Sequence, residues 1–364
     1  MVTLVVTLGS GSMDLYSQKL AERLDVPKIH TDIYQQIRER FNISWLSIKA
    51  LKSIPGDRNF IRTLNNLGGI VHLPNQHLGR YGNFLKVPYI ITVHDLIRYL
   101  DLKGHGTYIR RPNFRDKFYL NLDYKGIRKA ARIIAISQAT KKDLMHYLKI
   151  PDERISVIYH GVDHAIFRPL LHPRKFEYPY ILFVGTEHPR KNLPLLLKAF
   201  KKLKEQAKYE NLKLVKVGRA GGREANFRGQ TIQVINSLKL SREVIFTEAV
   251  SVEDLRAYYC GAECFAFPSL YEGFGLPPLE AMACGYPVIT SDSSSLPEVV
   301  GEAAIKVSPH DVEGLAVALE KVLTDQGLKK SLINKGVEQA ANFSWEKAAE
   351  KTLRVYKEVE ESFS

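Results

Sequence analysis

Short apolar runs alternate with helical segments along the whole chain. Residues 2–8, 70–73, 89–93, 133–136 and 155–159 are apolar, and polar or turn residues bound each of them. Runs that stay apolar throughout fit strands covered on both faces by helices, not the alternating pattern of a half-exposed antiparallel sheet. Strand and helix in alternation predict a doubly wound parallel sheet. The pattern then restarts with strands at 180–184, 212–217, 244–246, 264–267 and 287–289. The spacing of Leu193, Leu196, Leu197, Phe200 and Leu203 predicts an amphipathic helix over 193–204. Further helices fit at 252–259, 277–283, 315–323 and 345–359. Between the two series, residues 167–174 hold two prolines and no periodicity, which marks a linker. The chain is therefore read as α/β, with two Rossmann-like βαβ domains, residues 1–173 and 174–343. Ligands of open α/β sheets bind beyond the carboxyl ends of the strands, so two such domains facing each other would make a central cleft.

Composition narrows the class. At 364 residues the chain is long enough for two cores, and 45% hydrophobic with 25% charged residues is ordinary for a globular protein. No apolar run reaches the roughly 18 residues of a membrane span. Residues 1–8 lack a basic leader and read as a strand, not a signal peptide. Cys260, Cys264 and Cys284 are too few for a disulfide framework, which points to a reducing, cytoplasmic setting, with the thiols as small buried residues.

The net charge of +13 is uneven. Residues 1–175 carry 28 Lys+Arg against 14 Asp+Glu, and residues 176–364 carry 24 against 25. Ten of those basic residues, with Tyr99, Tyr108, Phe114, Phe118, Tyr119 and Tyr124 among them, lie in residues 98–132. Such a segment suits an anionic membrane surface or a solvated basic face. Single-stranded nucleic acid, which aromatics among basic residues can also bind, is the distant alternative and is not expected.

Residues 268–285 carry the strongest chemical signal. They read Pro-Ser-Leu-Tyr-Glu-Gly-Phe-Gly-Leu-Pro-Pro-Leu-Glu-Ala-Met-Ala-Cys-Gly and follow a predicted strand. Gly273 and Gly275 allow close backbone approach. Pro277 and Pro278 suit the first turn of a helix, and Gly285 its end. The loop amides and the helix start form an anion site, with Glu272 in the loop and Glu280 on the helix. A carboxylate on each side suits a ligand bearing hydroxyls next to phosphates: a ribose diol on Glu280, a sugar diol on Glu272, a diphosphate between them.

This segment closely resembles the donor-binding motif of retaining nucleotide-sugar glycosyltransferases of family four, which have the GT-B fold. Similar to the same family are the 287–298 continuation, Val184-Gly185 with Arg190-Lys191-Asn192, residues 251–255, and His160-Gly-Val-Asp163. The resemblance implies that Glu280 binds the ribose and Glu272 the transferred sugar. It implies that the amides of Gly273, Phe274, Gly275 and Leu276 meet the diphosphate, and that Lys191 and Arg190 neutralise it. A leaving nucleoside diphosphate gains charge as the glycosidic bond breaks, so fixed cations there lower the barrier. The resemblance further implies that His94, at the end of a buried strand, lies near the transferred sugar. It also implies that the final helix, within 344–364, returns to the first domain. Two departures stand out. The family often has Arg after Val184-Gly185 where this chain has Thr186, and it has a richer glycine loop where this chain has Gly9 and Gly11. Those two glycines, and Ser137 after another strand, are possible cleft residues, Ser137 being equally suited to capping a helix.

No Asp-x-Asp pair and no His or Cys cluster at metal spacing occurs. The expectation is a metal-independent hexosyltransfer without a resident cofactor. Mannose from GDP-mannose is favoured by the Pro189-Arg-Lys-Asn192 variant. The acceptor would be a hydroxyl of a glycan or a lipid-phosphate, met at the inner face of a membrane. A UDP- or ADP-glucose-dependent glucosyltransferase or synthase of the same fold is the alternative.

Overall fold

The computed structural model describes residues 1–9, 11–106, 108–171, 176–221 and 226–363, leaving out 41–47, and describes no side chain between 37 and 55. The described residues form two compact units. One comprises Met1–Gly106, Arg110–Gly161 and Trp345–Ser364, the other Val162–Ser344 with the short segment Thr107–Ile109.

Each unit is built on one six-stranded parallel sheet. The first has the order β2-β1-β3-β4-β5-β6, with β1 Val2–Thr7, β2 Lys28–Thr31, β3 Ile70–Leu73, β4 Tyr89–Val93, β5 Arg132–Ala135 and β6 Ile155–Val157. The second has the order β12-β11-β10-β7-β8-β9. Its strands are β7 Tyr180–Val184, β8 Lys213–Val217, β9 Val244–Thr247, β10 Cys264–Phe267, β11 Val288–Ser291 and β12 Ala304–Val307. The fully buried central runs were legible as strands. The edge strands β2 and β12 were not, because each has partly exposed residues and β2 lacks an apolar run.

Burial on both faces follows from the pleat. In β1, Val5 joins one core with Val71, Ile91 and Ile133, while Leu4 and Val6 join a second core on the opposite face. The helix Trp345–Phe363 covers that second face together with Tyr16, Leu20 and Leu24. Its Trp345, Ala348, Ala349, Thr352, Val355, Tyr356 and Val359 are buried at helical spacing. Tyr356 places its hydroxyl 2.6 Å from Nδ1 of His72 on β3. The other unit has its own core around Ile181, Phe183, Leu196, Phe200, Leu214 and Leu319.

The chain passes to the second unit at Val162, earlier than residue 173. Val162 bridges to Ser344, and Arg256 donates to the carbonyls of Arg168 and Pro169, so the proline-bearing segment is tied to the second unit. Residues 172–175, which include the expected boundary, lie outside the described residues.

Candidate active site

In the second sheet the strand order reverses between β7 and β10. A crevice opens at such a reversal, beyond the carboxyl ends of the strands, and the loops leaving these two strands carry the predicted residues. After β7 the chain turns through Gly185 (φ +153) and the short 3-10 turn Pro189–Lys191, then through Asn192 in a left-handed conformation (φ 55). The Asn192 side-chain amide donates to the carbonyls of Pro268 (3.0 Å) and Pro309 (2.8 Å), so three strand-end loops are stitched together beside Lys191.

The loop after β10 is held from below by serines that follow β11. Ser293 Oγ donates to the Leu270 carbonyl (2.6 Å), and Ser294 Oγ accepts from the Glu272 amide (2.8 Å). Ser295 Oγ shares its single hydrogen between the carbonyls of Glu272 and Phe274. Gly275 sits at φ +125, a conformation that favours glycine, and a Cβ there would also come within 2.9 Å of Leu296 Cδ2 and displace that methyl. Helix Leu276–Ala283 starts directly after it, with prolines in the first turn as expected. Phe274 is buried and packs edge-on against Phe343.

These supports bring Glu272, Arg190 and Lys191 together. Arg190 Nη1 lies 2.7 Å from Glu272 Oε2, and Lys191 Nζ lies 2.7 Å from Glu272 Oε1. Lys191 also sits 4.4 Å from the centre of the Phe267 ring, a favourable cation–ring contact. Burial pulls the Lys191 ammonium down to about 8, against the opposing pull of Glu272. Burial works to raise the Glu272 carboxyl, but the Arg190 and Lys191 charges together outweigh it and hold it below its ordinary value. Glu280, one helix turn on, is pushed up to about 7 by burial, which the Tyr259 hydroxyl and Lys191 counteract only in part. The result is a compact site with two cations, one firmly ionised carboxylate and one carboxylate poised near neutrality.

The remaining predicted residues lie at strand ends of the first unit. His94 follows β4 and is 4% exposed. Its Nε2 lies 2.9 Å from the Pro74 carbonyl. A carbonyl only accepts, so Nε2 carries the hydrogen and Nδ1 keeps its lone pair. Burial lowers the ring to about 4, so His94 is neutral at pH 7. Tyr16 and His160 clamp it, with ring centres 5.0 and 5.2 Å away. Gly11 caps helix Ser12–Ala21, its amide donating to Asp14 Oδ2 (3.1 Å), and the Gly9 carbonyl accepts from Gln18. Ser137 accepts from the Thr140 amide at 3.0 Å, a helix cap.

Three contributors were missed by sequence reasoning. Tyr259 donates to Glu280 Oε2 at 2.8 Å. The serines at 293–295 were passed over, although a run of four small polar residues after a strand is a signal for a loop that bonds its neighbours. Tyr108, in the Thr107–Ile109 segment of the second unit, accepts from the Arg190 amide (3.0 Å) through its carbonyl.

The basic segment 98–132 is less free than its composition suggested. All three of its aspartates are paired with arginines: within the segment Arg98 pairs with Asp101 and Asp116, and Arg110 with Asp116, while Asp123 is held by Arg80 from outside it. Tyr99 and Tyr124 are buried, whereas Phe114 and Phe118 on helix Phe114–Lys129 are exposed beside exposed Lys117 and Lys125. Among the described residues, no helix is long and apolar enough to cross a membrane, and no three His, Cys, Asp or Glu side chains are grouped to hold a metal ion.

Comparison with known proteins places this geometry. Residues 172–339 match the model of the glycosyl transferases group 1 family, and residues 17–166 match that of glycosyltransferase family 4. The chain is 34% identical over 274 residues to a serotype-specific mannosyltransferase WbdA of Escherichia coli, covering 71% of this chain and 32% of that protein. It thus spans about a third of the length of that relative. It is 30% identical to the O-antigen chain mannosyltransferase B of Escherichia coli, covering 74% of this chain and 70% of the relative. Among solved structures, sucrose-phosphate synthase from Thermosynechococcus elongatus superposes with a TM-score of 0.75 at 20% identity, covering 99% of both chains. Anabaena HepE, solved with UDP and glucose, superposes at 0.78 and 17% identity over 98% of this chain and 99% of that one. The two parallel sheets and these superpositions make the fold GT-B.

Proposed function

The chain belongs to the glycosyl transferases group 1 family, and from that premise we propose that it transfers a hexose from a nucleoside diphosphate sugar to a hydroxyl of a glycan or lipid-linked acceptor, with retention of configuration. Mannose from GDP-mannose is the proposed donor. The support is that two relatives near 30% identity are mannosyltransferases by name, whereas HepE at 17% identity speaks to fold only.

One observation carries the reading: Arg190 and Lys191 converge at 2.7 Å on a single carboxylate at the mouth of β7 and β10. In the proposed complex the diphosphate takes over these cations. Guanidinium supplies a fork and ammonium a compact charge, and both stabilise the charge that grows on the leaving group. Glu272 then accepts hydroxyls of the sugar, Glu280 accepts those of the ribose, and the Gly273–Leu276 amides meet the diphosphate. His94, neutral and with Nδ1 as an acceptor, contacts the transferred sugar. Thr186 stands where many members have Arg, and its hydroxyl is instead beside His188 Nδ1 (3.1 Å), which leaves Arg190 as the guanidinium of the site. The reaction uses these fixed cations in place of a divalent metal. It takes place in the cytoplasm, with the Phe114 and Phe118 ridge and its lysines meeting an anionic membrane face where a lipid-linked acceptor resides.

A donor screen read by mass spectrometry, with a mixed acceptor pool and with calorimetry on GDP, UDP and ADP, tests the reading. Binding of GDP and mass gain of one hexose from GDP-mannose are expected, with activity surviving EDTA. Binding of none of the three nucleotides would remove the proposal, and preference for UDP or ADP would replace the donor.

A further inference from the structure

Glu280 reaches into the site from helix Leu276–Ala283, but its carboxylate is anchored from another element. Tyr259, on helix Val252–Gly261, is wholly buried between the rings of Phe265 (5.4 Å) and Phe167 (6.1 Å). Its hydroxyl lies 2.8 Å from Glu280 Oε2. Burial, and then the negative charge of Glu280, raise the phenol well above its ordinary value, so it stays a donor at every working pH. No protein donor is bonded to the second oxygen, Oε1, among the described residues. A carboxylate held at one oxygen presents the other in a fixed direction, whereas an unheld carboxylate loses rotamer entropy on binding.

We propose that Tyr259 is a positioning residue for donor recognition, holding Oε2 of Glu280 so that the carboxylate presents a fixed edge to the vicinal diol of the nucleotide ribose. The proposal rests on the assignment of Glu280 to that ribose. The same bond stabilises the ionised form of Glu280, because a hydrogen bond to the charged form favours it. The groups facing Glu280 are Lys191 from the loop after β7, Tyr259 from its own helix, and Cys284 from the end of the 276–283 helix. Among the described residues, only Tyr259 donates a hydrogen bond to it. Without that hydroxyl a larger share of Glu280 is protonated at pH 7, and a protonated carboxyl accepts a diol poorly.

The test is Tyr259→Phe, compared with wild type by calorimetry on GDP, UDP and ADP and on their 2′-deoxy counterparts, from pH 6 to pH 8.5. The 2′-deoxy forms keep the diphosphate and lack the diol, so they report Lys191 and Arg190 without Glu280. The expected result is that wild type prefers the ribonucleotide. Tyr259→Phe should weaken it about tenfold at pH 7, the scale of one charged hydrogen bond. The gap should narrow toward pH 8.5, and 2′-deoxy binding should change less than twofold. An equal loss for both forms, or a lowered thermal midpoint with ribonucleotide binding unchanged, would make Tyr259 merely structural and overturn the proposal. If wild type itself fails to discriminate the 2′-deoxy forms, the ribose assignment of Glu280 falls, and this proposal falls with it.

Discussion

Among the described residues of the second unit are two trios of the same composition, each a buried glutamate between two cations. At the mouth of β7 and β10, Glu272 meets Arg190 and Lys191 at 2.7 Å each. At the ends of β7 and β8, Glu187 meets Lys216 at 2.9 Å and Arg228 at 2.8 Å. Distances and charges barely separate them. What separates them is how the ammonium spends its three hydrogens. Lys216 meets Glu187 Oε1 and the carbonyls of Gly218 and Arg219, and its side chain is 0% exposed. Lys191 meets one carboxylate oxygen and the face of Phe267, which leaves donor capacity for a ligand. The saturated Lys216 is a clasp between two loops, and the unsaturated Lys191 beside a glycine loop fits the binding role proposed for it. Charge composition alone would have given both the same role.

The contrast can be broken at either trio. Lys216→Met leaves Glu187 buried with half its compensation, which should cost about 3–5 kcal/mol of stability. Denaturant unfolding should show that loss, and the double change Lys216→Met with Glu187→Leu should recover most of it. Lys191→Ala should weigh on function instead, lowering turnover about 10²- to 10³-fold, the range for one lost transition-state donor, with a smaller loss of stability than Lys216→Met. If Lys191→Ala unfolds the protein, or Lys216→Met spares its stability, the two trios do not differ in the way described.

Smaller effects sharpen the same contrast. Gly275→Ala forces a side chain to φ +125 and against Leu296. It should cost about 1–3 kcal/mol and weaken nucleotide binding more than Lys216→Met does, which calorimetry on a folded sample would show. The pH dependence should also belong to the Lys191 trio and its neighbour Glu280. On the proposed assignment, donor recognition needs Glu280 ionised and Lys191 protonated, so kcat/KM for the donor should rise through about 7 and fall above about 8. Stability should respond with the opposite sign at Glu280. Its carboxyl is raised in the folded chain, so its contribution is complete below its ordinary value of 4.5 and lost as pH climbs through about 7. Thermal midpoints across that range, with Glu280→Gln as the flat control, measure it.

Much of this was legible in the sequence. Buried parallel strands announce themselves because both faces are apolar, and the 268–285 loop because its glycines, prolines and glutamates have few other uses together. The rest depends on partners that the chain brings in from a distance. Tyr259 reads as a core ring, and nothing local shows that Glu280, 21 residues on, will receive its hydroxyl. Lys216 interrupts an apolar strand and Glu187 sits in a turn, so each alone looks like a surface residue. Only the parallel pairing of β7 with β8 brings their ends side by side. The charge of residues 98–132 hides the same kind of distant pairing. Its three aspartates, Asp101, Asp116 and Asp123, are buried counter-ions for Arg98, Arg110 and Arg80.

The helix Trp345–Phe363 has a consequence for how the molecule is made. It supplies a large part of one covering layer of the first sheet, beside Tyr16, Leu20 and Leu24, and the bond from Tyr356 to His72 joins positions 284 residues apart. A chain emerging from the ribosome therefore cannot finish its first unit when that unit's strands are out. The apolar face of β1, β3 and β4 must wait, only partly covered by Tyr16, Leu20 and Leu24, while all of 162–344 is synthesised. The second unit, continuous apart from one short segment, is able to close first. The order of completion thus inverts the order of synthesis, contrary to the usual N-terminal-first sequence.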